Sequence, residues 1–278
     1  MTTADPPRVA VRYLGDFALS VNGSQVSRWR AGKTRSLFQY LLVNRERLVL
    51  RERLQEVLWP GVDWSNNSSS LKVAVHALRQ ILKSIPQVGR EPVMEVCHQD
   101  YGYVLHARGV TVDFEELEAQ FDAAQAAESH GDVAAALRCC RRVSALYAGE
   151  FLPGESAEWV AEQREWNRSI ALRAIDRLRA DALAREQFTE VITWCRRILD
   201  IDPYREQIYQ LLMYVHGRFG ELGSVNGWYE LCARRLREEL DTEPAPATQH
   251  LHLRAMRGEL LARMNTPRRA AGARRVPA

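Results

Sequence analysis

Phe188-x2-Val191-x2-Trp194 returns 34 residues later as Leu222-x2-Val225-x2-Trp228. This recurrence restricts the fold more than any other feature of the sequence. A period of that length means one pair of helices per unit, with pairs stacked so that each covers the apolar face its neighbour leaves open. Gly131-Asp132-Val133 followed by Ala136-Leu137 reads as an earlier and weaker unit. The run from Val110 to about residue 263 is therefore expected to be helical almost throughout. Breaks are expected at His130-Gly131-Asp132, from Gly149 to Gly154, near Asp202-Pro203, at Gly220 and at Glu243-Pro244.

The first 110 residues have a different pattern. Val9, Val11 and Tyr13 alternate as in a strand, as do Phe17, Leu19 and Val21, and Asn22-Gly23 signals a tight turn. Arg30 to Val43 reads as an amphipathic helix with Leu37, Phe38, Leu41 and Leu42 inside. Arg28, Arg30, Lys33 and Arg35 crowd its start, where cations oppose the helix dipole, so something negative is expected to offset them. Gly32-Lys33-Thr34 ends like a phosphate-binding loop, but Ser27 stands where the first glycine must be, which excludes nucleotide binding. Leu48-Val49-Leu50 reads as a short strand, and Arg51 to Trp59 as a second helix stopped by Pro60-Gly61. Pro92 to Ala107 reads as a hairpin around Gln99-Asp100-Tyr101-Gly102, with Gly102 suiting the turn.

Between these lies Ser65–Ile85. At 100° per residue, Leu71, Ala74, Val75, Leu78, Ile81, Leu82 and Ile85 fall on one apolar arc. Ser69, Lys72, Val73, His76, Gln80 and Lys83 stand opposite, with Arg79 on one flank, and the preceding Ser and Asn residues offer N-caps. A solvated face usually mixes both signs, whereas this one carries cations and hydrogen-bonding groups without a carboxylate. Such a face suits a helix that enters a DNA groove.

Charge separates along the chain in the same sense. The net formal charge is +6 over residues 1–110, −7 over 111–265 and +4 over 266–278, within a total of +3. A basic first part joined to an acidic second part points to a polyanionic partner for the first alone. The 46% hydrophobic content supplies proper cores for two domains. No apolar run approaches the length of a membrane span, and the N-terminus lacks the basic start and apolar block of a signal peptide, so a cytoplasmic protein is expected. The five cysteines, Cys97, Cys139, Cys140, Cys195 and Cys232, form no CxxC pair and read as buried free thiols rather than metal ligands or disulfides.

The order strands, helix, helix, long helix, hairpin resembles the winged-helix DNA-binding domain of OmpR-type response regulators. The matching residues are Leu58-Trp59-Pro60-Gly61, Leu78-Arg79 and Gly102-Tyr103-x-Leu105. Beyond residue 110 the matching residues include Asp113-Phe114, Tyr147-x2-Glu150-Phe151-Leu152, Trp159, Arg164, Pro203-Tyr204-Arg205-Glu206, Leu211-Leu212-Met213 and Leu236-x2-Glu239-Leu240-x2-Glu243-Pro244. This part resembles the bacterial transcriptional activator domain that follows a winged helix in SARP-type regulators. The implied fold is mainly α, with an N-terminal α+β winged helix-turn-helix and a C-terminal α-helical tetratricopeptide-like repeat domain. The expected parts are 1–110, 111–265 and a basic disordered tail at 266–278.

The resemblance implies that the third helix lies in the major groove and the hairpin on adjacent backbone or minor groove. It implies base reading by Ser70, Lys72, Val73, His76 and Ala77, the last standing where relatives often carry arginine. Phosphate contacts are implied for Lys33, Ser69, Arg79, Lys83, Gln99 and Tyr101. Members of the family bind direct repeats in promoter DNA as a head-to-tail pair and hold RNA polymerase holoenzyme at weak promoters. The expected protein is therefore a transcriptional activator that forms a homodimer on DNA at the nucleoid. No nucleophile elbow, HExxH or dinucleotide fingerprint is present, so neither an enzyme, a cofactor nor a metal is expected.

A ligand- or protein-sensing adaptor, with DNA binding secondary, is the alternative. It draws on Trp159, Trp166, Trp194, Tyr204, Tyr209, Tyr214, Trp228 and Tyr229, which read chiefly as repeat core but otherwise as a ligand groove. Asn226-Gly227 departs from the helix formers usual at that place, at a cost of up to about 1 kcal/mol, and suggests a loosened helix or a pocket beside Trp228. His250-x-His252 lacks nearby metal partners and reads as surface.

Overall fold

The computed structural model describes residues 8–26, 32–62, 69–85, 87–88 and 91–261. The expectations for Ser27 to Arg30, for the capping residues Ser65 to Ser68 and for the tail 266–278 lie outside these. The chain divides into two compact units, 1–174 and 175–278.

The first unit opens with β1 (Val9–Arg12) and β2 (Ala18–Val21), antiparallel and joined to β3 (Ser24–Gln25) through Asn22-Gly23. Both turn residues have positive φ, 51° and 81°, the conformation that matches the twist of a two-residue hairpin. Three helices follow: α1 (Lys33–Val43), α2 (Arg51–Leu58) behind the short β4 (Val49–Leu50), and α3 (Ser69–Leu82). The small hairpin β5 (Gln87–Val88) and β6 (Glu91–Pro92) leads to the wing, β7 (Met94–Gln99) and β8 (Gly102–Ala107), paired from Met94↔Ala107 to Gln99↔Gly102. β4 adds to the free edge of β8.

Gly102 has a role the sequence did not reveal. It lies in β8 opposite Leu50, and a Cβ there would stand 2.3 Å from the Val49 carbonyl oxygen. Close approach of β4, rather than the turn, requires glycine at this position.

Residues 110–112 correct the expectation that the helical run starts at Val110. They form β9 (Val110–Val112), parallel to β1 in the sheet order β3-β2-β1-β9. Two β-branched valines flanking Thr111 suit a strand, and its pairing satisfies the edge of β1. α4 (Asp113–Ser129) then starts without a linker, followed by α5 (Val133–Leu146) and α6 (Glu158–Ala184). Asp132 caps α5 by accepting the Ala135 N–H at 2.8 Å.

An aromatic and backbone joint ties the sheet to these helices within the first unit. The Tyr13 ring stacks on Phe151 at 5.2 Å and meets Phe17 and Phe114 edge-on. Tyr13 Oη donates to the Gln39 carbonyl at 2.9 Å. Gly15 N donates to Glu150 O at 2.8 Å and Leu152 N to Tyr13 O at 2.9 Å, so the stretch before α6 pairs with the end of β1. The Asp113 carboxylate accepts the N–H groups of Tyr13, Leu14 and Phe114 at 2.8–2.9 Å. Arg45 and Glu115 form a two-pronged ion pair. Tyr13, Phe114 and Phe151 are buried, and each buried aromatic of this size contributes about 1.5–3 kcal/mol.

In the second unit α7 (Phe188–Ile201) pairs with α8 (Glu206–Arg218), and α9 (Leu222–Leu240) with α10 (Pro246–Met256). The two copies of the repeated triplet begin α7 and α9, and Val191 and Val225 are fully buried. One break was not legible: α6 ends before a turn at Glu186, a non-glycine residue with φ of 54°. The expected loosening at Asn226-Gly227 is absent, since α9 runs through both residues. Asn226 Nδ2 donates to Glu230 one turn on at 2.7 Å. His252 is half-buried rather than surface, stacked on Tyr229 at 4.0 Å with its Nε2 3.1 Å from Asn226 Oδ1, and burial lowers its pKa. Cys140, Cys195 and Cys232 are buried free thiols, while Cys97 and Cys139 are half-buried. Burial pushes Cys195 and Cys232 up to about 12. Among the described residues no helix is long and apolar enough to cross a membrane.

Candidate nucleic-acid interface

α3 folds as its two-sided pattern dictates. Leu71, Ala74, Val75, Leu78, Leu82 and, just past its end, Ile85 are buried against α1 and β7. Ile81 is half-buried. The opposite face carries Ser69, Ser70, Lys72, Val73, His76, Gln80 and Lys83, all exposed, with Ala77 half-buried at its margin. Val73 is 65% exposed. A β-branched apolar residue bared in this way on an otherwise polar face offers contact to a methyl group such as that of thymine. No acidic residue occurs between Asp63 and Glu91.

Arg79 sits differently from its neighbours. It is half-buried, and its Nε–H donates to the Val96 carbonyl of β7 at 2.9 Å. This bond ties α3 to the wing. Neither Arg79 nor Lys83 has a carboxylate partner among the described residues.

At the wing tip, Gln99 closes β7 and Tyr101 is 81% exposed. Asp100 holds the turn with φ of 45°, a left-handed conformation that aspartate tolerates better than most residues. The tip is anchored from the helix side. Arg51 N, at the first residue of α2, donates to Tyr101 O at 3.0 Å, and the Arg51 guanidinium meets His98, whose ring packs edge-on to Tyr103. Neither Arg51 nor His98 was singled out from the sequence. Their signal lies in the register, because β4 must pair with β8 before Arg51 can reach the hairpin.

Lys33 is exposed at the first residue of α1. The first turn of that helix has no acid, and its N-terminus has no side-chain cap. The start of this helix, with a cation and no acid, therefore suits an anion. Each candidate contact residue lies in the first unit, on α1, α3 or the wing. Among the described residues no group of three His, Cys, Asp or Glu is placed to hold a metal.

Comparison with known proteins bears on the family and the fold. Residues 112–255 match the bacterial transcriptional activator domain. The regulatory protein AfsR of Streptomyces coelicolor is 26% identical over 249 residues, covering 84% of this chain and 24% of that protein. AfsR of Streptomyces griseus is 25% identical over 244 residues, covering 85% and 23%. The chain thus spans about a quarter of the length of the curated relatives it matches. The structure of Mycobacterium tuberculosis EmbR in complex with a low-affinity phosphopeptide shares the fold, with a TM-score of 0.64 at 22% identity over 90% of this chain and 65% of that one. These similarities bear out the SARP-type resemblance and the mainly α fold with its N-terminal α+β region. The match at 112–255 takes in more than half of the 278 residues, and the chain belongs to the bacterial transcriptional activator domain family.

Proposed function

We propose that this protein is a sequence-specific DNA-binding transcriptional activator acting at the nucleoid in the cytoplasm. The observation that carries the reading is the exposed, acid-free outer face of α3, framed by a wing and set in a chain of an activator family. α3 enters the major groove, and Ser70, Lys72, Val73, His76 and Ala77 face base edges. Lys33, Ser69, Arg79, Lys83, Gln99 and Tyr101 hold phosphates and set the register. With alanine at position 77, base discrimination falls to Lys72, Val73 and His76 and to DNA shape.

In this reading residues 1–110 bind DNA, 111–265 form the activating part, and the four arginines of 266–278 add contacts that do not depend on sequence. Two copies bind direct repeats in a promoter head to tail and recruit RNA polymerase holoenzyme. The mechanism is adhesive. Simultaneous contacts to DNA and polymerase raise promoter occupancy, and no covalent step takes place. Footprinting on fragments selected from genomic DNA, with and without polymerase, tests it: protected direct repeats and tighter polymerase binding are expected. Lys72→Ala and His76→Ala should each cost about 1–3 kcal/mol at particular base pairs. Equal losses on specific and random DNA would remove both residues from base reading.

A further inference from the structure

The sequence offers eight aromatic residues as repeat core or groove, and of these Trp166 alone is exposed, at 48%. It lies on the part of α6 within the first unit. Trp159, Glu162, Gln163, Glu165, Trp166 and Ser169 line a crevice of about 480 Å³ along one side of this helix. From Trp159 to Ser169 the helix rises about 15 Å, the reach of four or five extended residues.

The walls of this crevice are fixed from behind. Trp159 packs edge-on to Tyr40 and Phe151. Gln163 Nε2 donates to Glu118 Oε1 at 2.9 Å. Burial pushes the Glu118 carboxyl up, against hydrogen bonding from Gln163 and Trp166 that favours its charged form. The front of the crevice is unsatisfied. Glu162 has no hydrogen bond or ion pair among the described residues. Glu165 has only an exposed contact with Arg168 at 3.6 Å. An indole braced on one side and bared on the other, with a free carboxylate one turn away, matches the chemistry of a guanidinium. The flat cation stacks on the ring while its forked N–H groups reach the carboxylate. Exposed tryptophan is also the residue type most enriched where interfaces concentrate their binding energy.

We propose that this face of α6 docks an arginine-bearing segment of a partner protein, with one guanidinium stacked on Trp166 and forked to Glu162. A small cation would cover the indole and leave most of the crevice empty, whereas an extended segment fills its length. The −7 charge over 111–265 favours the same occupant.

The test uses the full chain and a fluorescein-labelled nonapeptide carrying three arginines among serine and leucine. Its counterpart has citrulline at the same places, which keeps the shape and removes the charge. Fluorescence anisotropy should show binding of the arginine peptide, at least tenfold weaker binding of the citrulline peptide, and a comparable loss in Trp166→Ala. Glu162→Lys changes an exposed residue and leaves folding untouched, so it keeps the test valid if the tryptophan variant unfolds; it too should lose at least tenfold. DNA affinity should be unchanged in both variants. Equal affinity for the two peptides, or affinity indifferent to both substitutions, overturns the proposal. A rise of tenfold or more on deleting residues 266–278 overturns the assignment to a separate partner, because the chain's own tail would then be the occupant.

Discussion

Replacing Asp113 tests whether the joint between the sheet and α4 depends on a single carboxylate. Oδ1 accepts the N–H groups of Tyr13 and Phe114, and Oδ2 accepts that of Leu14. Asn in the same rotamer keeps the first oxygen but turns an NH2 toward Leu14 N, so one donor loses its acceptor. A partly buried orphan donor costs about 1–3 kcal/mol. Ala orphans all three and removes an acid from the first turn of α4, for a loss of about 3–5 kcal/mol.

That is a large share of the roughly 5–15 kcal/mol a domain has in total, so the Ala variant should open locally well below its unfolding midpoint. Urea unfolding gives the free energies, and hydrogen exchange in the stretch 9–16 shows whether opening starts there. Burial raises the Asp113 pKa despite the backbone N–H groups that donate to it, so its folded value lies above its ordinary 3.8. A raised carboxyl contributes stability that is fully present below the unfolded pKa and is lost as pH rises through the folded one. The gap between wild type and Asp113→Asn should accordingly be widest at acid pH, shrink across that window and stay flat above it. An Asn variant within about 0.5 kcal/mol of wild type, or Asn and Ala variants of equal stability, would refute the reasoning.

Four further outcomes follow from the candidate interface. Gly102→Ala drives a methyl into Val49 O and should cost about 3 kcal/mol, seen in a thermal melt, with DNA affinity falling equally on specific and random sequences. Asp100→Asn removes the one acid at the wing tip and should raise DNA affinity several-fold at low salt. Screening should erase that gain near 0.5 M, and an unchanged affinity would place the tip away from the phosphates. Lys83→Gln should lower the salt slope of binding by about 0.9 with no change in melting. Arg79→Lys should instead leave the slope and lower stability by about 1 kcal/mol, because it keeps the charge and loses the bond to Val96 O.

What the sequence disclosed was whatever depends on near neighbours. The buried and bared sides of α3 follow from helical spacing, the wing from two strand-like arms, and the α7 and α9 starts from one repeated triplet. Features set by distant residues were hidden. β9 reads as the start of a helix until β1, 101 residues earlier in the pairing Val9↔Val110, is placed beside it. Glu186 turns the chain without a glycine or proline to announce it. Phe151 and Leu152 carried a family resemblance, yet their pairing with Tyr13 and Leu14 cannot be inferred from spacing. For the candidate site, the face of α3 was legible residue by residue. The anchoring of Arg79 and Arg51 to the wing was not, since both bonds depend on strand register.

The absence of a linker between β9 and α4 bears on promoter architecture. A flexible tether would let a bound partner swing to either side of the duplex and would forgive changes in spacing. Here the sheet, α4, α5 and the first part of α6 belong to one compact unit, so in the proposed reading whatever docks on Trp166 is presented at a set distance and azimuth from the groove that α3 enters. Inserting about 5 bp between the operator and the polymerase site, half a turn of B-DNA, should abolish activation, and about 10.5 bp should restore part of it. An activator built in this way would measure helical phase, and the seam at Val112-Asp113 is what would deny it slack.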